Sequence, residues 1–369
     1  MELSLLVNQF DIQGRLVTIV PTGNGNVNDT YLAVYRNTYD EHQVIMQRIN
    51  RNVFPQPEAI MGNLHKLAAH SHPKLEREAD HADRIWQMPQ IIRSRTGGDY
   101  VLDEHNDVWR VITKIPSATA YDEAQGTEHA MECGAVLGHF HWTVADLPPE
   151  TMVDPLPGFH ITPRYLAKYD EILDRNPLAK ERLAASMEAR RLAKFIDDRR
   201  GFAATLQNAL KKGELALRMM HGDPKVNNIM IDDFTGKGTA MIDLDTVSPG
   251  LIHYDFGDAL RSICNHVGEE EQNLSKVIFD LDLCESFCKG YVSQAKDFMT
   301  DADRHYLYDS IRLITFELGL RFFQDYLAGN IYFKTHYPEQ NLNRARVQFR
   351  LCESIESKER MIRELLSRL

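Results

Sequence analysis

Between His221 and Asp245 the chain carries oxygen-bearing side chains at a spacing suited to chemistry on a phosphate. The loop His221-Gly222-Asp223-Pro224-Lys225-Val226-Asn227-Asn228 has the form H-x-D-x-x-x-x-N. Two short apolar runs follow, Ile229–Asp232 and Thr239–Ile242, around the turn-forming stretch Asp233-Phe234-Thr235-Gly236-Lys237-Gly238. That pattern predicts a β-hairpin. In an antiparallel hairpin the start of the first strand lies beside the end of the second, so Asn228 and Asp243 are expected side by side, with Asp223 just upstream. Asp and Asn oxygens suit a hard cation such as Mg2+, which takes few protein ligands and completes its shell with water and phosphate. A further carboxylate, off the metal, can orient a hydroxyl and take its proton. These are the parts that phosphoryl transfer requires. For the loop spacing alone, an Asn/Asp-rich turn is the blander alternative. The aspartate at the strand end outweighs it.

A second aspartate competes for the metal role. Asp255-Phe256-Gly257 spells the tripeptide that carries the metal-binding aspartate of protein kinases. No strand precedes it, however, that could pair with the run after Asn228. The metal role is therefore expected at Asp243. Asp255 and Asp258 are expected to cap a helix that begins near Asp258 and carries Arg261 one turn on.

The elements that position these groups read outward from the loop. Gly14–Tyr35 reads as strand, turn and strand, with Gly23 and Gly25 in the turn. A glycine-bearing hairpin can bring backbone N–H groups against phosphates, although a plain hairpin is the default reading. A third strand is expected at Gln43–Ile49, a helix over Pro57–Ala69, and a hairpin from Asp99–Leu102 and Val108–Ile112. Composition shifts at Lys114-Ile115-Pro116-Ser117-Ala118. Beyond it the chain is mostly helical: Thr127–Trp142, one or two helices in Arg164–Lys212, then Leu274–Ala295, Asp301–Ala328 and Asn343–Arg368. Pro148–Pro163 reads as a connecting loop. The expected class is α+β, with a small antiparallel-sheet lobe over residues 1–115 and a larger, mostly helical lobe over 116–369.

Composition narrows the partners. The 369 residues carry 42 Lys+Arg against 53 Asp+Glu, a net charge of −11, which argues against a nucleic-acid surface. No apolar run is long enough to span a membrane, and the first residues lack the basic and apolar segments of a signal peptide. The five cysteines are scattered without metal-site spacing, as expected of reduced, buried thiols in a cytoplasmic protein. A monomer or small homo-oligomer is expected.

One helix stands apart. Ile311–Leu327 is apolar around most of its circumference, yet Glu317, Arg321 and Asp325 fall at i, i+4 and i+8. Such a stripe is either a solvated, salt-bridged face or a polar groove that aims Arg321 at a hydroxylated ligand.

The chain resembles the aminoglycoside phosphotransferase/choline kinase family, whose fold is similar to that of protein kinases. Within that family it is closest in appearance to the N-acetylhexosamine 1-kinases. The resemblance runs through GNGNVNDTYLAVY, QRINRNVFP, WRVITKI, HGDPKVNNIMID, AMIDLDTVSPG, YDFGDALR and LGLRFFQDYLAGNIYFKTHYPEQN. It implies a two-lobed kinase with ATP in the cleft behind a hinge near Thr113–Ser117. Asp223 is then the implied base, and Asn228 and Asp243 the Mg2+ ligands. Arg321 and Tyr332 match positions that contact the sugar. Asp245, on the same side of an extended segment as Asp243, could serve substrate or metal.

One position departs from the wider kinase pattern. Where the phosphate-contacting lysine of V-A-I-K is expected, the chain has Gln47, followed by Arg48. Which group neutralises the α/β-phosphates is thus open. Lys225 could stabilise charge on the transferring group, or it could face solvent. The expected activity is ATP- and Mg2+-dependent phosphorylation of the anomeric hydroxyl of N-acetylglucosamine or N-acetylgalactosamine. The alternatives are a kinase for another small alcohol (choline, homoserine, an aminoglycoside) or a non-catalytic nucleotide or sugar sensor. Arg321 argues against a cationic acceptor.

Overall fold

Runs rich in Val, Ile, Thr and Tyr open the chain and form its main sheet. In the computed structural model, which describes residues 2–23, 27–79 and 84–369, β1 (Arg15–Pro21), β2 (Asp29–Arg36) and β3 (Glu41–Ile49) make an antiparallel meander. The short β4 (Ile91–Ile92) and β5 (Val101–Leu102) both pair with β6 (Val108–Thr113), which also pairs with β3. The register across three strands sets Thr30 opposite Gln47 and Gln47 opposite Arg110. One face of this sheet has its own core, in which Leu6 and Val7 of α1 (Leu3–Val7) join Phe10, Tyr35, Met46 and Val111. The strands expected in this region form, except that the run expected at Asp99–Leu102 is a strand only over Val101–Leu102; β4 is too short to show a period.

The helix α2 (Pro57–Ala79) runs ten residues past its expected end at Ala69 and carries Pro73 inside it. Its later turns are held from outside, because Lys74 Nζ donates to Thr143 O at 2.6 Å and Lys74 pairs with Asp146.

The helical lobe follows, beginning with the short β7 (Ala118–Ala120) and α3 (Thr127–Val144). Arg164–Lys212 holds four helices rather than one or two: α4 (Thr162–Arg175), α5 (Pro177–Ala185), α6 (Met187–Asp197) and α7 (Thr205–Lys211). Caps make two of the breaks. Asn176 accepts from Leu178 N, and Ser186 accepts from Ala189 N, each satisfying an orphan N–H of the helix it starts. Next come β8 (Arg218–Met220), β9 (Ile229–Asp232), β10 (Gly238–Met241) and β11 (Ser248–Gly250). The helix expected near Asp258 begins earlier, as α8 (Ile252–Ile263), so Asp255 and Asp258 lie inside it.

α9 (Leu281–Ala295) starts where Asp280 caps Asp282 N and Leu283 N, seven residues later than expected. α10 (Asp301–His305), α11 (Leu307–Ala328), α12 (Gln340–Ser357) and α13 (Glu359–Leu366) complete the chain. Each of the two long helices expected there is therefore broken once. The contact between α3 and α9 is nearly backbone to backbone. A Cβ at Gly134 would lie 2.0 Å from Phe287 O, and one at Gly290 would lie 1.9 Å from Met131 O, so only glycine fits either site.

All five cysteines are free and buried. Among the described residues no helix is long and apolar enough to cross a membrane.

Candidate active site

The hairpin forms as its sequence predicts. β9 pairs with β10, Met241 sits opposite Ile229, and Ile242 N donates to Asn228 O at 2.9 Å. Asp243 follows directly and so lies beside Asn228. The loop ahead of the hairpin is bent by Gly222 at φ 89°, where a Cβ would meet Thr246 at 2.9 Å. His221 Nε2 donates to Ile242 O at 3.0 Å while its Nδ1 accepts from Asp223 N at 3.2 Å. That pattern requires the neutral ring, and burial lowers its pKa accordingly.

Asp255 does not cap a helix. From inside α8 its carboxylate accepts from His221 N at 2.6 Å and from Gly222 N at 2.7 Å. His141 Nε2 lies 2.8 Å from the same carboxylate, and Tyr291 Oη lies 2.8 Å from His141 Nδ1. The tripeptide rejected as a metal site is thus the anchor of the catalytic-type loop. Asp258 pairs with Arg261 at 2.8 Å, and Arg261 with Glu269 at 2.8 Å.

Three charged groups stand at the loop. Lys225 Nζ lies 2.8 Å from Asp223 Oδ2, and Asn228 Nδ2 donates to Asp223 O and Oδ2 at 2.7 and 3.1 Å. Burial pushes the Asp223 carboxyl up, but the Lys225 ammonium outweighs it and leaves the pKa below the ordinary value. Lys225 is therefore paired rather than solvated. Asp243 adopts the left-handed conformation, φ 61°, which Asp tolerates better than most residues. The residue is exposed at the surface, yet its carboxylate lies in a partly enclosed position and meets no hydrogen bond or ion pair from a described residue. Restricted solvation, then the nearby Asp245 and Asp223, raise it to about 7.

A carboxylate and an amide oxygen, neither hydrogen-bonded to a described residue, make a donor set that fits Mg2+. The described residues hold no cluster of three or more His, Cys, Asp or Glu suited to a metal ion. Asn228 and Asp243 alone would leave most positions of such an ion to water and phosphate.

The stripe on α11 does not pair with itself. Glu317 is taken by His160 Nδ1 at 2.9 Å and by Thr162 Oγ1 at 2.6 Å. Asp325 accepts from the backbone N–H of Ile331, Tyr332 and Phe333 at 2.9, 2.8 and 3.0 Å, and from Asn341 Nδ2 at 2.9 Å. Arg321 makes no hydrogen bond or ion pair with a described residue. Its guanidinium lies among four rings: Phe159 at 5.0 Å, Tyr165 at 5.3 Å, Phe333 at 5.6 Å and Tyr332 at 6.0 Å. Burial opposes its charge, but Tyr165, Tyr332, Glu317 and lastly Asp223 favour it and raise its pKa. By gripping the segment after α11, Asp325 sets Tyr332 beside Arg321.

The sheet lobe supplies a cluster that the sequence reading did not assemble. Gln47 Oε1 accepts from Arg110 Nε at 3.0 Å and Nη2 at 2.7 Å, while Gln47 Nε2 donates to Thr30 Oγ1 at 3.2 Å. Arg110 Nη2 also lies 2.5 Å from Asp245 Oδ1, and Asn28 Nδ2 donates to Asp245 Oδ2 at 2.8 Å. Asp245, 3% exposed, is thus held by the sheet lobe, and it lies in a 3-10 turn, Leu244–Thr246, rather than in the extended segment expected. Gly23 has φ 75° with open space where a Cβ would point, and Gly25 lies outside the described residues. The one signal for Arg110 was an arginine inside the apolar strand WRVIT, where a charge must find a partner.

A small sheet over a helical lobe, with an Asp–Asn–Asp hairpin between them, holds the kinds of group that phosphoryl transfer requires. The chain belongs to the phosphotransferase enzyme family, which matches residues 18–274. Its fold is shared with a microcompartment-associated aminopropanol kinase (17% identity, 98% of this chain and 97% of that one, TM-score 0.61). An aminoglycoside phosphotransferase from Alicyclobacillus acidocaldarius subsp. acidocaldarius is similar (12% identity, 100% and 97%, TM-score 0.60), as is a choline kinase from Cryptosporidium parvum (12% identity, 94% and 91%, TM-score 0.57).

Proposed function

We propose that the protein transfers the γ-phosphoryl group of ATP to the anomeric hydroxyl of an N-acetylhexosamine, with residues 1–115 as the nucleotide lobe and 116–369 as the acceptor lobe. The observation that carries the acceptor reading is Arg321. It is a guanidinium with no ion pair to a described residue, ringed by aromatic faces and within electrostatic reach of Glu317 and Asp223. An aromatic cage can hold an organic cation, but here the protein's own cation fills it. A cationic acceptor such as choline, aminopropanol or an aminoglycoside would meet repulsion. A neutral, hydroxylated acceptor finds ring faces and a fork of donors.

Asp223 accepts the hydrogen bond of the attacking hydroxyl and orients it. Its lowered pKa suits a group that stays ionised and takes the proton late, after charge has left the nucleophile. Lys225, already against Asp223, also stabilises negative charge on the transferred group. Bound Mg2+, held by Asn228 and Asp243, would neutralise charge on the nucleotide phosphates. Asp255 contributes by fixing the loop backbone. The catalysis is positional and electrostatic.

The test is ADP release from ATP against N-acetylglucosamine, N-acetylgalactosamine, choline, homoserine and aminoglycosides, with 31P NMR locating the phosphate. Turnover with an N-acetylhexosamine and a product phosphate on C1 is the expected result. Turnover confined to an amino alcohol would refute the acceptor reading.

A further inference from the structure

We propose that Arg110 is the cation that contacts the α/β-phosphates of the nucleotide, supplied from β6 in place of the lysine that β3 lacks. The inference rests on the ATP-dependent reading above. Gln47 stands at the β3 position where that lysine is expected, and the register puts Arg110 directly across from it on the neighbouring strand. Two Arg110 N–H groups are spent on Gln47 Oε1. The guanidinium is thereby clamped in one orientation.

Its charge faces one carboxylate, but its donors are not all used. Asp245 Oδ1 lies 2.5 Å from Arg110 Nη2, yet the N–H groups are not directed at it. Oδ1 is left as a buried acceptor and Arg110 Nη1 as a buried donor, each without a hydrogen-bond partner among the described residues. Arg110 is 1% exposed and Asp245 3%. Buried polar groups are nearly always satisfied, so an orphaned donor on a buried guanidinium calls for a missing partner. A phosphate oxygen supplies it, since the planar fork of arginine matches phosphate.

The position is right for that partner. Asp245, which Arg110 contacts, follows Asp243 by two residues in the chain. The cation therefore sits beside the site proposed for the phosphate-bridging metal. Gln47 is then a positioning residue: it holds the arginine that does the work of the absent lysine.

The experiment is calorimetric binding of ADP and of adenosine to the full chain, in EDTA so that the metal plays no part. Wild type should bind ADP at least tenfold more tightly than adenosine. Arg110→Met should erase most of that preference and leave adenosine affinity unchanged. Adding Gln47→Lys to Arg110→Met should restore part of the preference, because the charge returns on β3. Should Arg110→Met fold poorly, Arg110→Gln takes its place with the same expectations. ADP bound as tightly by the variant as by wild type would overturn the assignment. So would an equal loss for ADP and adenosine that Gln47→Lys fails to repair, which would make Arg110 a strut. A wild-type protein that binds neither ligand would instead sink the kinase reading itself.

Discussion

Replacing Arg321 by alanine separates a ligand contact from a structural strut, and the structure sets the expected sizes. No ion pair is lost, because Glu317 and Asp325 are held by His160, Thr162 and the backbone of residues 331–333. What is lost in the free protein is contact with four rings at 5.0–6.0 Å. Each such contact is worth roughly 0.5–1 kcal/mol where solvent reaches it. Removing a half-buried guanidinium that has no acceptor also relieves a desolvation penalty of similar size. The net change in stability should be within about 1 kcal/mol, a melting shift of no more than about 4 °C in a chain this long. In the complex, the same change removes a charged hydrogen bond worth about 1.5–3 kcal/mol. The acceptor KM should therefore rise roughly ten- to a hundredfold, with ATP KM unchanged. The assay is coupled ADP release at saturating ATP across an acceptor titration, alongside a thermal melt. An Arg321→Ala protein that melts some 10 °C early with its acceptor KM intact would refute the reasoning.

Asp223→Asn should lower kcat by on the order of 10²–10⁴ while leaving ATP affinity largely unchanged; full turnover in that variant would remove the proton-accepting role. Asn228→Ala and Asp243→Ala should each raise the Mg2+ requirement, and their losses should be strongly non-additive. Asp255→Ala, by contrast, should lower stability through its unpaired His221 and Gly222 N–H groups, without a specific shift in Mg2+ dependence; a shift seen in Asp255→Ala and absent from Asp243→Ala would reverse the assignment. His160 faces an acceptor from each ring nitrogen, Glu317 Oε1 and Gly222 O, so both nitrogens are protonated. Burial opposes that charge, but Glu317 overrides it and raises the pKa. A raised folded-state pKa stabilises most below the unfolded value near 6.5, and the benefit disappears as pH rises through the folded-state pKa. The stability deficit of His160→Gln should be largest at pH 6 and shrink towards pH 9 in urea denaturation; a deficit that grows with pH would contradict the protonated ring.

The site was legible in the sequence wherever its geometry is local. A hairpin brings Asn228 to Asp243 because turn chemistry and β-branched runs are short-range signals, and the loop spacing delivers Asp223 with them. The helix boundaries failed where a single cap outweighs a continuous apolar period, as at Asn176 and Ser186. Asp255 was misread because an aspartate near a helix start looks like a cap. Only tertiary structure shows that it reaches back to the N–H groups of residues 221 and 222. Arg110 and Asp245 were beyond local reading for the same reason, since the sheet and the hairpin meet only in the fold. For the stripe on α11, helical spacing allowed pairing within the helix, but partners outside it took both acids.

These long-range contacts form two chains of constraint. Asp255 fixes the backbone of His221 and Gly222, and His160 joins Gly222 O to Glu317 on the helix that carries Arg321. Asp325, on that same helix, holds the segment bearing Tyr332. The proposed acceptor contacts and the proposed base are therefore registered to each other through buried hydrogen bonds. The proposed nucleotide side is tied separately, through Gln47, Arg110 and Asp245, to the segment that carries Asp243. Phosphoryl transfer asks for little covalent chemistry from the protein and much alignment of donor with acceptor. Here each half is fixed by its own buried network, and the two are joined beside Asp243 through Asp245, so the proposed donor and acceptor sites are set relative to each other by the fold.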